Sequence, residues 1–187
     1  TRVEVWVTNR SNKTDNVRNV VALQDIGESD PNKVGSAVNI FAAPSAIPAN
    51  KNNAFDPTNI GGVGSQITLA IRDVATVQTG ITVSNIKEGF DYAKLENARK
   101  LINGQEYILN TQLGYISLNQ RLNNDEVLAV AFQYTLGGKV YQVGEFANDG
   151  VDATNVTTNG SGQVTSVVNS NLILKLLKSS ITNVNQP

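Results

Sequence analysis

Val3, Val5 and Val7 alternate with Arg2, Glu4, Trp6 and Thr8. A period of two predicts a half-buried strand with its valines toward the core. Trp6 then falls on the outer face with Arg2 and Glu4, as a packing partner, a cation–π partner of Arg2, or an anchor for another protein. Asn and charged residues over 9–16 read as a loop, and VRNVVALQDI (17–26) as a second strand.

From Glu28 to Gly64 the periodicity dissolves, and Pro31, Pro44, Pro48 and Pro57 fall among Asn, Ala and Gly. The segment reads as an extended excursion over the surface, tacked down through Ile40 and Phe41. Spans this long without periodicity are uncommon in compact domains unless they serve a function. Gly61-Gly62-Val63-Gly64-Ser65 has no following Lys and no leading strand, so it fails the phosphate-loop and dinucleotide patterns. Ser65 reads instead as a helix N-cap. Ile67, Ala70, Ile71, Val74 and Val77 recur at helical spacing, with Gly80 as a stop, and predict an amphipathic helix over 65–79. FDYAKLENARKLI (90–102) is ambiguous: Leu95, Ala98, Leu101 and Ile102 suit a helix face, but the neighbouring segments are strands.

Residues 105–147 predict a core rich in β-hairpins. Gly137-Gly138 fits a two-residue turn with positive φ. That register sets Tyr134 against Tyr141 and Phe132 against Val143 on one face. Gln133 meets Gln142, and Ala131 meets Gly144, on the other. Large apolar residues oppose one another, as a true cross-strand register requires. LGYISL (113–118) supplies a preceding strand. The pattern as a whole describes an α+β domain: a mostly antiparallel sheet, one or two covering helices, and long loops rich in Asn and Pro.

Composition narrows the chemistry. The 187 residues fit one well-buried core or two small ones. Fifteen basic against sixteen acidic side chains give a net charge of −1, and 17% of residues are charged. That balance argues against a nucleic-acid surface, which calls for a basic stripe. No apolar run reaches the length of a membrane-spanning helix. Without an initiator Met or secretory signal, the chain reads as an internal piece or a mature form. Cys, His and Met are absent, which removes disulfides, thiolate sites, imidazole catalysis and His-ligated zinc. Asp91, Glu96 and Glu106 have ordinary surface spacing, and Asp149 and Asp152 lack the calcium-loop pattern. No catalytic, cofactor-binding or metal-ligating residue is assigned. Asn, at 24 residues, clusters at turns, where its side chain bonds the local backbone; the sequons at Asn9, Asn12, Asn155 and Asn159 follow from that abundance.

The run NARKL…EYILNTQLGYISLNQRLNNDEVLAVAFQYTLGGKVYQVGEF, with upstream VEVWVTNR and RNVVALQDIGE and downstream NLILKLLKS, resembles the SprA/Sov family. Members are giant outer-membrane proteins of gliding motility and type IX secretion. The similar segments span Val3 to about Ser179. The resemblance implies one soluble module, residues 1–187, excised from a longer chain and facing the periplasm or the cell surface. The family's conduit itself is a barrel for which this chain is too short, and strand 128–135 has no polar lumen face. The implied role is a non-catalytic structural and interaction domain. Its partners would be other segments of the parent protein or secretion-system components, with the excursion 28–64 and an edge strand at 3–8 as contact surfaces. A surface domain that binds carbohydrate or protein is the alternative reading, and a carboxylate-dependent enzyme the third.

Overall fold

The computed structural model describes residues 1–24, 26, 60–61, 66–84, 86–149 and 152–181. Nearly all of the expected excursion 28–64, and the expected N-cap Ser65, lie outside these residues. Ten strands run in chain order: β1 (Arg2–Val7), β2 (Val17–Leu23), β3 (Tyr92–Lys100), β4 (Tyr107–Asn110), β5 (Tyr115–Leu118), β6 (Leu128–Leu136), β7 (Lys139–Val143), β8 (Thr154–Thr158), β9 (Val164–Asn169) and β10 (Leu172–Lys178). The only helical elements among the described residues are two 3-10 turns, Leu69–Arg72 and Val77–Gly80. The fold is therefore all-β, which corrects the α+β expectation and its covering helices.

The strand pairings close on themselves. β1 pairs with β3, β3 with β2, β2 with β10, β10 with β6, and β6 again with β1. A ring of five strands cannot alternate direction all the way round, so it needs a parallel pair; β2–β10 is parallel and the other four are antiparallel. Closure places β1 between two neighbours, and the edge expected at 3–8 is covered on the β3 side over Val5–Val7. Both faces of β1 are covered as well. Trp6, 1% exposed, lies inside the ring, while Val5 and Val7 pack outside it. The expectation of an outward Trp6 fails because closing the ring turned that face into the main core.

The ring interior draws on alternate residues of all five strands. Trp6, Leu95, Leu172, Leu174 and Phe146 are bulky; Ala22, Ala93, Ala98, Ala129 and Ala131 are small. A five-stranded barrel has little room, and small residues opposite one large ring fill it without strain. Above Phe146 the Arg2 guanidinium sits 3.9 Å from the ring centroid. Lys100 Nζ lies 5.8 Å from the Trp6 ring and 3.4 Å from Glu4 Oε1.

Two outer cores flank the barrel. On one side Val21, Leu23, Tyr92 and Ile173 pack under Ile67, Ile71, Val77 and Ile81. This is the segment expected to form a helix over 65–79. Its apolar residues are buried as the spacing implied, but the backbone is not helical. Seven of its thirteen residues from Ile67 to Thr79 are β-branched, which lowers helix propensity. Local bonds also compete: Asp73 Oδ1 accepts from the N–H of Ala75, and Thr76 Oγ1 donates to the carbonyl of Ala70. Asp73 forms a β-bridge with Ser170, and the Asn171 N–H donates to the Arg72 carbonyl. Gly80 permits the two turns to touch, since a Cβ there would lie 2.4 Å from the Ile71 nitrogen.

On the other side the β4–β5 hairpin lies over β1 and β6, with Tyr107 beneath it beside Val5, Val7 and Val130. The ambiguous 90–102 segment is β3. β3 bulges at Glu96 and Asn97, which together oppose Asn19 of β2; Asn97 has a φ of +51° and its N–H donates to Asn19 Oδ1. That irregularity changes the interior spacing from two (Ala93, Leu95) to three (Leu95, Ala98), and so imitates a helical period. The β6–β7 hairpin has the register expected from its sequence: Phe132 faces Val143, Gln133 faces Gln142, and Tyr134 faces Tyr141. Gly137 and Gly138 have φ of +57° and +79°, as the two-residue turn requires.

Candidate partner-binding surfaces

Glu106 and Glu126, which line a polar recess, and the buried Glu145 are all engaged by cations or backbone N–H groups. Glu145, 1% exposed, receives both terminal nitrogens of Arg72, at 2.6 and 2.5 Å, and the N–H of Ile173 at 2.9 Å. Arg72 also donates to the Asn171 carbonyl at 2.9 Å, and Asn171 Nδ2 donates to the Ile71 carbonyl at 2.8 Å. This network ties the 3-10 segment to β10 and to the residues just after β7. A bidentate guanidinium–carboxylate pair is a fixed structural contact. Sequence reasoning missed it because its members are far apart in the chain.

A polar recess of roughly 220 Å³ contains Arg99, Glu106, Gln105 and Arg121. Burial alone would raise the Glu106 pKa. The Ile102 N–H and the Arg99 guanidinium outweigh it and hold the carboxyl below the usual glutamate value. A carboxylate held ionised is a poor proton donor, so Glu106 suits a structural role. Asp91 accepts the Lys87 N–H, both carboxylate oxygens of Asp149 accept from Arg2 Nη1, and Glu96 is exposed. The structure therefore does not bring Asp91, Glu96 and Glu106 together as a reactive group. Tyr92 and Tyr107 are pushed up from the ordinary tyrosine value, first by burial and then by Glu88 and Glu4 respectively. Tyr92 donates to Gln78 and Tyr107 to the Val3 carbonyl.

The larger recess differs in character. A groove of roughly 650 Å³ runs between the turn end of the β4–β5 hairpin and the outer faces of β1 and β6. Val3, Leu109, Ile116, Leu128, Val130 and Phe132 give it an apolar floor, and among the described residues no Asp, Glu, Lys or Arg lines it. Tyr115, 51% exposed, stands at the rim with Asn110 and Thr111. An aromatic ring beside an amide would suit a sugar. Asn110 Oδ1, however, accepts from the N–H groups of Gln112 and Leu113, so its acceptor is committed to the turn. The groove is best suited to apolar side chains of a partner. Two hairpins also present apolar residues to solvent: Leu136 and Val140 on β6–β7, and Val156, Val164 and Val167 on β8–β9.

A family model described as motility related/secretion protein matches residues 1–127 of the chain. Comparison with curated proteins returns no match. The matched span includes β1 to β5 and the 3-10 segment, and ends just before β6.

Proposed function

The chain belongs to the SprA_N family of motility related/secretion proteins, and from that premise we propose that it is a non-catalytic interaction module of type IX secretion and gliding motility. It works at the outer membrane, holding surfaces of a larger assembly together. The observation that carries this reading is the uncharged apolar groove between the β4–β5 hairpin and the barrel. Grooves of this size and lining are suited to binding, with affinity from buried apolar area and orientation from a few polar rim groups. The two acids of the polar recess, Glu106 and Glu126, are held in ion pairs or turns, which supports a scaffold over an enzyme. Partners are other segments of a longer parent protein or components of the secretion assembly.

An in-frame deletion of the domain from the parent protein tests the proposal, with membrane insertion checked by surface labelling. Loss of cargo from the medium, or loss of gliding where the host glides, is the expected result. Normal secretion and motility from a correctly inserted deletion would overturn it. Turnover of a glycoside or peptide substrate, abolished by a single Asp or Glu substitution, would replace it with the enzyme reading.

A further inference from the structure

The β8–β9 hairpin has no place in the three cores. Its strands pair only with each other among the described residues. Val156 lies opposite Val167 and Thr158 opposite Val164, so the three valines share one face, each more than half exposed. An isolated two-stranded hairpin is marginal in water, yet this one is built firmly. At its tip, Asn159 Oδ1 accepts from the N–H groups of Ser161 and Gln163, and its Nδ2 donates to the Gln163 side chain. At its base, the Ser170 N–H donates to the Ala153 carbonyl, and Ser170 bridges Asp73 beside the Arg72–Glu145 network. The arm is thus tied at its tip and its base while burying almost nothing of itself.

Its edges are also lightly defended. Strands that must remain unpaired carry charge, proline or a bulge, or are kept very short; this hairpin has one bulge, near its tip at Thr157 and Thr158. Between Asp152 and Lys175 there is neither a charged residue nor a proline, in a chain where 17% of residues are charged. Val and Thr dominate the strands, and both favour strand pairing. The chemistry thus suits one occupant. A charged strand would gain no complementary group and would lose solvation, whereas an uncharged β-branched strand adds backbone hydrogen bonds and covers the valines. A second copy of the chain fits less well. Three valines offer far less than the roughly 1,200 Å² that a stable free interface buries, so the occupant has to be held nearby by the larger assembly.

We propose that the β8–β9 arm receives an extended, uncharged, β-branched strand of a neighbouring polypeptide at its edge. The inference rests on the interaction-module reading and adds the place and the chemistry of one contact. The probe is a capped peptide of alternating Thr and Val, not copied from the chain's own strands, titrated into isotope-labelled protein and followed by amide resonances. Saturable shifts confined to 154–158 and 164–169 are expected. Binding should weaken about tenfold or more for a peptide with Lys in place of its valines, and for Val156→Lys/Val167→Lys protein with its barrel resonances unmoved. Shifts elsewhere, none at millimolar peptide, or arm shifts that follow protein concentration alone would each overturn the proposal, the last by making a second copy the occupant. If the arm fails this test while deletion of the whole domain still blocks secretion, the arm inference falls and the interaction-module reading stands.

Discussion

Glu145 and Arg72 show how one contact organises distant parts of the chain. The pair is buried on the carboxylate side and nearly so on the guanidinium side, and it joins the 3-10 segment, β10 and the chain after β7. Breaking a buried pair from one side strands a charge, which costs on the order of 3–5 kcal/mol. Arg72→Met should therefore lower stability in urea unfolding by roughly that amount. Arg72→Met/Glu145→Gln should recover part of the loss, because the remaining amide oxygen still accepts from Ile173. Glu106 gives a pH signature. Its folded-state pKa lies below the ordinary value, so its stabilisation is complete above about pH 4.3 and is lost as pH falls through the folded value. Glu106→Gln should accordingly lower the melting temperature at pH 7, with the difference from wild type shrinking below about pH 4. Neither pair was legible in the sequence. Arg and Glu residues look alike until folding decides which of them meet.

At the scale of elements, what the sequence disclosed depended on how locally each element is determined. The β6–β7 hairpin is set by its turn and by residues directly across from one another, so its register could be read from LAVAFQYTLGGKVYQV. Gly138→Val should cost about 1 kcal/mol or more, because positive φ strains a β-branched residue even though space around the turn is open. An unchanged melting temperature would remove the strained turn from the account. The 3-10 segment was misread because burial of Ile67, Ile71 and Val77 has a helical spacing, while its backbone is directed by contacts with Ser170 and Asn171, about a hundred residues later. Gly80→Ala tests that packing. Its Cβ would press against the Ile71 backbone, and overpacking of this kind costs about 1–3 kcal/mol; melting equal to wild type would contradict the close approach. β3 was ambiguous for a separate reason, the bulge at Asn97 that shifts the interior phase.

The described residues form a closed barrel with two flanking cores, a groove and a projecting arm. Closure is a property of all five ring strands together, and strand-by-strand periodicity does not reveal it. Hence periodicity alone assigns Trp6 outward and gives β1 a free edge that β3 covers over Val5–Val7. The groove was equally hidden, since Val3, Leu109 and Phe132 come together only when the β4–β5 hairpin folds over β1 and β6. Family membership, by contrast, was readable from long stretches of sequence. The central claim is that this surface acts by contact with another polypeptide. Its most direct test is photo-crosslinking in living cells from a reactive side chain placed at Tyr115, on the groove rim, with the exposed Glu96 of β3 as the control position. The account predicts a discrete polypeptide adduct from position 115, absent from position 96 and lost in an Ile116→Lys background that retains the barrel. Cells that secrete and glide normally while position 115 yields no polypeptide adduct would contradict it.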